Sequence, residues 1–450
     1  MIKTNLTQYE SDLMEVVNEF SSVDSTAVSL IFSEGEKVNI TVTVGESVYP
    51  FTYDFLVGDQ LNIKRLTKRY AKLSLYKALS AHTGVSLPWG ALTGIRPTKL
   101  AYAQEDYKSF FLDTMCVSKE KTALIGKILE TQKGIYDTNP DNCGLFVSVP
   151  FCPTRCAYCS FISNEISKEK RINEYIDGLI KEIEAAKPLI KNLRGVYVGG
   201  GTPVALDDEN FSKLLSAIGP VDVEYTVEAG RPDAITQKKL EIMKAHGVTR
   251  VCVNPQTFSN KTLALIGRRH TAEDIIEKYR LVKSFGFTVN MDLIAGLPEE
   301  GFEDFKASLE TAISLDPDNI TVHTLCLKKG SRLKEATDRL TAGEVAKMVD
   351  FSHDVLQKSG YRPYYLYRQK YMAGNLENTG YAKPGTECVY NIDIMEETTD
   401  VLACGANAIT KKVLGGAKKL ERIGAPKAVG AYLLRLDQII KEKNYLFGQK

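Results

Sequence analysis

Three cysteines lie close together in the segment VPFCPTRCAYCSF, residues 149 to 161, at positions Cys152, Cys156 and Cys159. The C-x3-C-x2-C spacing puts three soft thiolates on one short loop, which suits three corners of an iron–sulfur cube better than a tetrahedral zinc ion. A zinc site normally has a fourth cysteine or histidine nearby in paired C-x2-C form, and none follows here. A [4Fe-4S] cluster held by three cysteines keeps one iron open. The sequence therefore predicts that a small molecule completes the site.

A second motif, GGGTP at residues 199 to 203, directly follows a predicted strand. Three successive residues without side chains let the backbone approach a ligand closely and direct its N–H and C=O groups at charged groups of that ligand. No G-K-[ST] follows the glycines, so the segment is not a Walker loop. Taken alone, the glycines are more typical of an ordinary strand-to-turn connection than of a ligand site.

From residue 144 onward, short apolar runs alternate with helical patterns. The predicted strands are LFVSVP, GVYVGG, VEYTVEAG, TRVCVNPQ, TVNMDLIAGLP and NITVHTLCL, and the helical patterns lie between them. Repeated β-α units imply a parallel sheet with helices outside it. Because six strands are too few for a closed eight-stranded barrel, the expected fold class is α/β, with an open, partial (β/α)6 barrel rather than a doubly wound sheet.

Polar residues of unusual type follow these predicted strands, as a site at the carboxyl ends of parallel strands requires. In strand order they are Cys152, Gly199 to Thr202, Glu228, Gln256, Asp292 and His323. Each residue alone has an ordinary structural explanation, such as a helix cap. Their agreement in position therefore carries more weight than any single motif.

Two further domains flank the predicted barrel, which we place at residues 141–340. Residues 1–140 are predicted to form an α+β domain, with an antiparallel meander over 24–56 and a basic amphipathic helix over about 61–82. Residues 341–450 are predicted to form a small C-terminal domain. Its tyrosine-rich stretch suits a domain that caps the barrel mouth and contacts substrate.

The composition of the 450 residues excludes several classes of function. Lys plus Arg number 57 and Asp plus Glu 56, so the chain has no long-range field to attract nucleic acid or an anionic membrane. The sequence contains no run of 18 apolar residues, so no membrane span is predicted. It has nine cysteines and shows no export signal. We therefore expect a cytoplasmic protein without disulfides, in which the six cysteines outside the loop are small buried residues.

Together, the cysteine loop and GGGTP resemble the radical S-adenosylmethionine (SAM) superfamily. FVSVPFCPTRCAYCSF is similar to the cysteine segment of oxygen-independent coproporphyrinogen III oxidases and related heme chaperones, and TVEAGRPDAIT, GVTRVCVNPQTF, IGRRHTAED and NMDLIAGLP match later motifs in order. LPWGALTGIRPTKL and YYLYRQKYMAGNLENTGYAKPG look like the HemZ-type coproporphyrinogen dehydrogenase branch. The resemblance implies a radical SAM barrel in which SAM chelates the open iron and yields a 5′-deoxyadenosyl radical on reduction.

The resemblance also implies roles for individual residues. Cys152, Cys156 and Cys159 would hold the [4Fe-4S] cluster. The residues that would contact SAM are Phe146, Tyr158, Gly200, Gly201, Thr202, Glu228, Gln256, Arg268 and Asp292. One SAM molecule is expected, because family members that bind a second one carry C-G-C-N-K after the cysteine loop, where this chain has CSFIS. The chain also has EAGRP where the family often has Asn-Pro or Asp-Pro after the strand glutamate.

The activity that the resemblance implies is oxygen-independent oxidative decarboxylation of coproporphyrinogen III. Two propionates become vinyl groups, which yields protoporphyrinogen IX. The reaction requires an electron donor such as flavodoxin or ferredoxin. It also requires contacts to a tetrapyrrole, for which Arg368, Lys370 and Tyr367 are the candidates.

Three alternatives stay open at this point. A heme or porphyrin carrier would keep the cluster with little turnover, but the chain lacks the H-N-x-x-Y-W pattern of the heme chaperones and has Tyr390 at the histidine position. A radical enzyme acting on another tetrapyrrole, such as heme, would show the same motifs, since one fold hosts different substrate pockets. A structural metal site at the three cysteines, without catalysis, is the third.

Overall fold

The computed structural model describes residues 1–20, 22–54, 58–92, 96–159, 164–326, 342–369, 372–415 and 419–448. The chain divides into two compact units, one formed by Met1–Gly126 with Arg368–Leu376 and the other by Lys127–Tyr367 with Glu377–Lys450. These bounds differ from the three predicted domains, because strands after residue 341 join the sheet of the larger unit.

A four-stranded sheet forms the base of the smaller unit. Its strands are β1 (Lys3–Thr4), β2 (Val28–Glu34), β3 (Val38–Val44) and β4 (Ser47–Tyr53). Strands β2, β3 and β4 pair in antiparallel fashion, and β1 lies parallel to β2. Side chains on β3 alternate between buried valine or isoleucine and more exposed residues, as expected for a sheet with one covered face. The predicted meander is confirmed.

The helices described from Glu10 to Thr131 are α1 (Glu10–Asn18), α2 (Gln60–Thr83), α3 (Pro97–Tyr102), α4 (Tyr107–Ser109) and α5 (Lys119–Thr131). Helix α2 confirms the helix predicted over 61–82. It begins where the Asp59 side chain accepts a hydrogen bond from the Asn62 backbone N–H, and it ends at Gly84, which has a left-handed backbone. Lys68 on its basic face lies 2.6 Å from Asp12, so neighbouring acids partly neutralise that face.

In the described part of the larger unit, eleven strands form one central sheet. The strands of this unit are β5 (Asn142–Val149), β6 (Phe151–Cys152), β7 (Asn164–Glu165), β8 (Asn192–Gly200), β9 (Glu224–Gly230), β10 (Arg250–Val253), β11 (Thr288–Ala295), β12 (Asn319–Thr324), β13 (Arg362–Tyr367), β14 (Asn378–Ala382), β15 (Asp400–Cys404), β16 (Ile409–Leu414) and β17 (Lys419–Gly424). The sheet order is β13-β14-β12-β11-β10-β9-β8-β5-β15-β16-β17, and β6 pairs separately with β7.

All six predicted barrel strands, β5 and β8 to β12, pair in parallel in the predicted order. The sheet order is linear, with β13 and β17 at its edges, which agrees with an open, partial barrel. Strand β15 adds a seventh parallel strand beside β5 that the sequence pattern did not predict. Antiparallel strands extend the sheet on both sides.

Helices connect the parallel strands. The helices of this part of the chain are α6 (Ile172–Ala186), α7 (Asp208–Ile218), α8 (Gln237–Ala245), α9 (Asn260–Leu265), α10 (Ala272–Ser284), α11 (Phe302–Ser314), α12 (Ala342–Lys358), α13 (Val389–Glu396) and α14 (Val429–Gly448). Side-chain caps begin α7 to α10, where Asp207, Thr236, Ser259 and Thr271 each accept from the backbone N–H three residues later. In the described residues, no helix is long and apolar enough to cross a membrane.

Helix α13 packs against strands of the sheet near their amino ends. The ring of Tyr390 stacks on Tyr197 of β8 with centroids 4.8 Å apart. A Cβ atom added at Gly144 would lie 3.2 Å from the Tyr390 ring, and one at Gly195 would lie 3.6 Å from the Tyr390 Cβ. The two glycines therefore leave the space that the side chain of Tyr390 fills against this face of the sheet.

A buried ion pair joins helix α14 to helix α6 and strand β15. The Nζ atom of Lys443 lies 2.6 Å from Oε1 of Glu182 and donates to the Ala403 carbonyl at 2.6 Å. The other oxygen of Glu182 accepts from the Tyr432 hydroxyl and from the Gly405 backbone N–H. Because every charge in this network has a partner, it orients the C-terminal helix against the loop after β15.

Replacing Lys443 with methionine should lower the free energy of unfolding by about 3–5 kcal/mol, because Glu182 would remain buried without its counter-ion. Urea unfolding followed by circular dichroism measures the change. The matched control is Lys181→Met, which removes an exposed pair with Asp437 and should cost less than about 1 kcal/mol. Equal losses in the two variants would contradict a stabilising role for the buried pair.

Candidate functional site

The polar residues singled out in the sequence gather at one edge of the sheet, since the carboxyl ends of parallel strands meet there. The cysteine loop follows β5, the glycines end β8, Glu228 lies on β9, Asp292 lies on β11 and His323 lies on β12. Gln256 follows β10 and pairs with β11 through an isolated bridge to Leu293.

The three cysteines lie on the loop that follows β5. All three are half-buried, and none forms a disulfide. Cys152 pairs with Glu165 through the short strands β6 and β7, and the Ala157 N–H donates to the Ile266 carbonyl at 2.9 Å. In the described residues, no three His, Cys, Asp or Glu side chains are grouped so as to hold a metal ion.

A buried cation lies beside the cysteine loop. The Arg268 guanidinium interacts with Cys156 and donates to the Tyr158 hydroxyl at 3.2 Å. Burial raises the pKa of Tyr158 well above its ordinary value, although the guanidinium opposes this shift. A guanidinium stabilises thiolates, which are the form of cysteine that binds iron. These surroundings fit a thiolate-bound cluster.

The glycines pack against the end of β5 and the start of the cysteine loop. A Cβ atom at Gly200, where φ is +99°, would lie 2.7 Å from the Ser148 Oγ atom, and one at Gly201 would lie 2.5 Å from the Phe151 carbonyl oxygen. The Gly201 N–H donates to the Val149 carbonyl at 2.8 Å, and the N–H of the next residue donates to the Phe151 carbonyl. These N–H groups bind the protein itself, so the glycines are needed here for close backbone approach.

Thr202 connects the glycine turn to the first cysteine. Its hydroxyl lies 3.4 Å from the Cys152 sulfur, and its backbone N–H donates to the Phe151 carbonyl at 2.7 Å. The side chain is 3% exposed. The two motifs that lie apart in the sequence are therefore in direct contact.

Glu228 and Asp292 have opposite electrostatic surroundings. Burial and the Asp292 carboxylate raise the pKa of Glu228 to about 7, while the Tyr197 hydroxyl and Asn254, which both donate to it, oppose the shift. Burial also acts on Asp292, but contacts with His323 and other donors lower its pKa below the ordinary value. The edge therefore holds one carboxyl whose pKa lies near neutrality and one that stays ionised.

His323 lies beside Asp292 at this edge of the sheet. Its Nε2 atom lies 3.6 Å from Oδ2 of Asp292, and its Nδ1 atom lies 3.4 Å from the Tyr367 hydroxyl. Asp292 also accepts from the Asn290 side chain at 2.8 Å. The histidine thus connects the predicted SAM side of the edge with a residue predicted to contact substrate.

The buried polar atoms without a hydrogen-bond partner in the described residues include the Nε atom of Arg268 and the Oδ1 atom of Asn254 at this edge. One is a donor and the other an acceptor. A buried polar group without a partner is costly, and a polar ligand with a carboxylate and hydroxyl or ammonium groups would satisfy both. This observation fits SAM.

The other predicted SAM contacts have definite places. Phe146 is half-buried on β5, with its ring centroid 6.3 Å from that of Tyr197. Gln256 has a left-handed backbone with φ of 68°, exchanges backbone hydrogen bonds with β11, and is 7% exposed. Their contacts with SAM stay predictions.

The predicted substrate contacts differ in their surroundings. Arg368 is buried in the smaller unit, where it donates to the carbonyls of Leu92 and Asn375 and lies 5.0 Å from the Trp89 ring centroid. Tyr367 ends β13 in the larger unit and is half-buried. Lys370 lies outside the described residues. The substrate role of all three stays a prediction, and the donors of Arg368 already have partners within its own unit.

Sequence patterns did not single out several residues of this edge. Tyr197 and Asn254 bind Glu228, and Arg231 donates to Thr154 in the cysteine loop. One signal was available for Tyr197: it lies two residues before Gly199, so strand alternation places both on one face. The contact of Arg231 spans 77 residues and has no local signal.

The sequence profile of the Radical SAM superfamily matches residues 146–312. The chain is 37% identical over 419 residues to the oxygen-independent coproporphyrinogen-III oxidase-like protein HemZ of Bacillus subtilis. This match covers 87% of this chain and 83% of that protein. It is 33% identical over 192 residues to the heme chaperone HemW of the same organism, covering 41% of this chain and 50% of that protein.

Among solved structures, coproporphyrinogen III oxidase (HemN) from Escherichia coli, described as a radical SAM enzyme, is similar in fold. The TM-score is 0.56, the sequence identity is 22%, and the match covers 71% of this chain and 73% of that chain. At this identity, the similarity supports the fold alone.

Replacing Cys156 with alanine should abolish iron and sulfide binding while the protein stays folded, because this half-buried side chain lies in a loop without a disulfide. Iron and sulfide per chain after anaerobic reconstitution, with the melting temperature, measure the two effects. Cys116→Ala, in the smaller unit, is the control and should bind as much iron as wild type. Unfolding of the Cys156 variant would instead indicate a structural metal site.

The raised pKa of Glu228 predicts a pH-dependent loss of stability. Between its ordinary pKa of 4.5 and about 7, the folded protein holds a proton that the unfolded chain releases, so this contribution is present at acid pH and lost as the pH rises through 7. Relative to Glu228→Gln, wild type should lose on the order of 3 kcal/mol between pH 4.5 and 8. Urea titrations across this range test it, with the exposed Glu209→Gln as control. Parallel curves for wild type and Glu228→Gln would contradict it.

Proposed function

The chain belongs to the radical SAM superfamily and, within it, to the HemZ-type oxygen-independent coproporphyrinogen-III oxidase-like family, and from this membership we propose that it decarboxylates coproporphyrinogen III without oxygen. Two propionates become vinyl groups, and protoporphyrinogen IX is formed. The observation that carries the proposal is 37% identity to the HemZ protein across 87% of this chain. The acidic group at the strand ends agrees with it.

In this proposal, Cys152, Cys156 and Cys159 hold a [4Fe-4S] cluster. When bound, the cluster and SAM together supply a 5′-deoxyadenosyl radical that removes a hydrogen atom from a substrate propionate. Arg268 has an unpartnered donor for the carboxylate of SAM, and Asn254 has an unpartnered acceptor beside Glu228. These contacts would orient the cofactor at the carboxyl ends of the strands.

Release of carbon dioxide requires an ionised propionate and a site that excludes water. The imidazole of His323 lies beside Asp292 and the half-buried Tyr367, and the half-buried ring of Phe146 lies near that of Tyr197, which donates to Glu228. We propose that Tyr367 and His323 face the tetrapyrrole. Each decarboxylation leaves one electron that must pass to an acceptor, and the cluster requires a one-electron donor such as flavodoxin or ferredoxin.

The heme chaperones among the relatives make a heme carrier the second candidate. Tyr390, at the position of the chaperone histidine, is buried against Tyr197, and the Cys388 thiol nearby donates to Glu224 at 2.9 Å. Both side chains are packed inside the protein rather than presented to a heme. This packing favours the enzyme over the carrier.

The test is an anaerobic assay of the reconstituted protein with dithionite, SAM and coproporphyrinogen III, followed by mass spectrometry. We expect 5′-deoxyadenosine together with a tetrapyrrole lighter by two carbon dioxide and four hydrogen atoms. The Cys156→Ala variant should form neither product, because it lacks a cluster ligand.

Two other outcomes have definite meanings. If 5′-deoxyadenosine forms while coproporphyrinogen III stays intact, the radical chemistry stands and the substrate assignment fails, and heme is the next substrate to test. If neither product forms but the protein binds heme stoichiometrically, the carrier is the correct function.

A further inference from the structure

Thr154 lies between Cys152 and Cys156, the first two cysteines of the loop, and its hydrogen bonds tie this part of the loop to two other elements. The Thr154 hydroxyl donates to the Gly267 carbonyl at 3.4 Å, in the turn after α9. The same hydroxyl accepts from the Arg231 guanidinium, whose Nη1 atom also lies 3.3 Å from the Thr154 carbonyl oxygen. The position between the first two cysteines is therefore held from the ends of β9 and α9.

Arg231 is directed at the loop by an ion pair of its own. Its Nε atom donates to Oδ1 of Asp233 at 2.9 Å and its Nη2 atom to Oδ2 at 2.7 Å, which is bidentate geometry. This arrangement leaves Nη1 for Thr154. The Arg231 side chain is 3% exposed, and Asp233 also faces His270, at 3.6 Å.

The arrangement suits a guanidinium and no other side chain. A planar fork binds both oxygens of a carboxylate with one edge and donates to a third group from the remaining nitrogen in a fixed direction, whereas the lysine ammonium is a compact charge that cannot reproduce this bidentate geometry. Because Asp233 neutralises Arg231, the pair adds hydrogen bonds beside the loop without adding net charge. A buried ion pair contributes little net stability on its own, which makes the orientation of Thr154 its main effect.

The EAGRP sequence is where this chain departs from the motif of the family it resembles. The departure supplies the arginine, and Asp233 follows two residues later. Because Arg231 and Asp233 lie two residues apart in the chain, their ion pair forms within the short segment that follows β9. The loop that it contacts lies 77 residues earlier in the sequence.

We propose that Arg231 is a positioning residue that acts through Thr154 to hold the cysteine loop in the form that binds the cluster. The inference rests on the proposed function in so far as the three cysteines bind an iron–sulfur cluster. Without the clamp, formed by Arg231, Asp233 and Thr154, the loop samples other conformations and the cluster is lost faster.

The experiment compares Thr154→Val, Arg231→Lys, their double variant and wild type. Thr154→Val removes the hydroxyl and keeps the shape, and Arg231→Lys keeps the charge. Arg269→Gln, at an exposed position beside the loop, is the control. Two rates are measured anaerobically: release of iron from the reconstituted protein to a chelator, and alkylation of Cys152 and Cys156 by iodoacetamide in the metal-free protein, read by mass spectrometry.

We expect each single variant to release iron on the order of tenfold faster than wild type, as for other residues that orient metal ligands. The double variant should release iron more slowly than the product of the two single effects predicts, because both changes break the contact between the Thr154 hydroxyl and Arg231. Alkylation of the metal-free loop should also accelerate in the variants. Arg269→Gln should match wild type in both measurements.

Unchanged iron release and alkylation in Thr154→Val and Arg231→Lys would overturn the proposal, as would equal acceleration in Arg269→Gln. Additive effects in the double variant would show that the two residues act separately and would also overturn it. If wild type assembles no cluster, the proposed function fails, while the alkylation rates still decide whether the clamp orders the loop. If Arg231→Lys does not fold, Thr154→Val alone decides the outcome.

Discussion

The close approach of the glycine turn to the end of β5 is the contact on which the rest of the site depends. At Gly200 and Gly201 the backbone of one strand end lies so near the other that a single Cβ atom would meet Ser148 or Phe151 at 2.7 Å or less. This proximity lets Gly201 and Thr202 donate to carbonyls on either side of the β5 end. The backbone around the first cysteine is placed by hydrogen bonds, which are directional, whereas apolar side-chain packing is not.

The electrostatics of the site follow from the same geometry. Parallel strands bring Glu228 and Asp292 to one edge in a poorly solvated space, where two ionised carboxylates repel strongly. The protein distributes its donors unequally, so that Asp292 stays ionised beside His323 while burial and repulsion raise the pKa of Glu228. A cationic or hydroxyl-bearing ligand reduces this repulsion, which gives the ligand a favourable place to bind.

The fold was largely predictable because its signals are local. The apolar runs of β5 and β8 to β12 and the capped helices between them are patterns of a few residues, and the polar residue after each strand marked the site edge. Strand β15 was missed because DVLAC is short and because β5, the parallel strand with which it pairs, lies more than 250 residues earlier in the chain. The sequence did not indicate where helix α13 packs, because its short length and mixed pattern of polar and apolar residues do not show which face of a sheet it covers.

The site itself shows the same division. The sequence alone determined which residues carry the chemistry: three thiolates at fixed spacing, a glycine turn, and carboxylates and an arginine after successive strands. Only the tertiary structure decided which partners they have, as with the donors of Tyr197 and Asn254 on Glu228, the clamp on Thr154, and the use of Arg368 by backbone carbonyls. The reason is that motif spacing reflects short-range backbone geometry, whereas hydrogen-bond partners and the pKa values that follow from them depend on which distant segments the folded chain brings within about 3 Å.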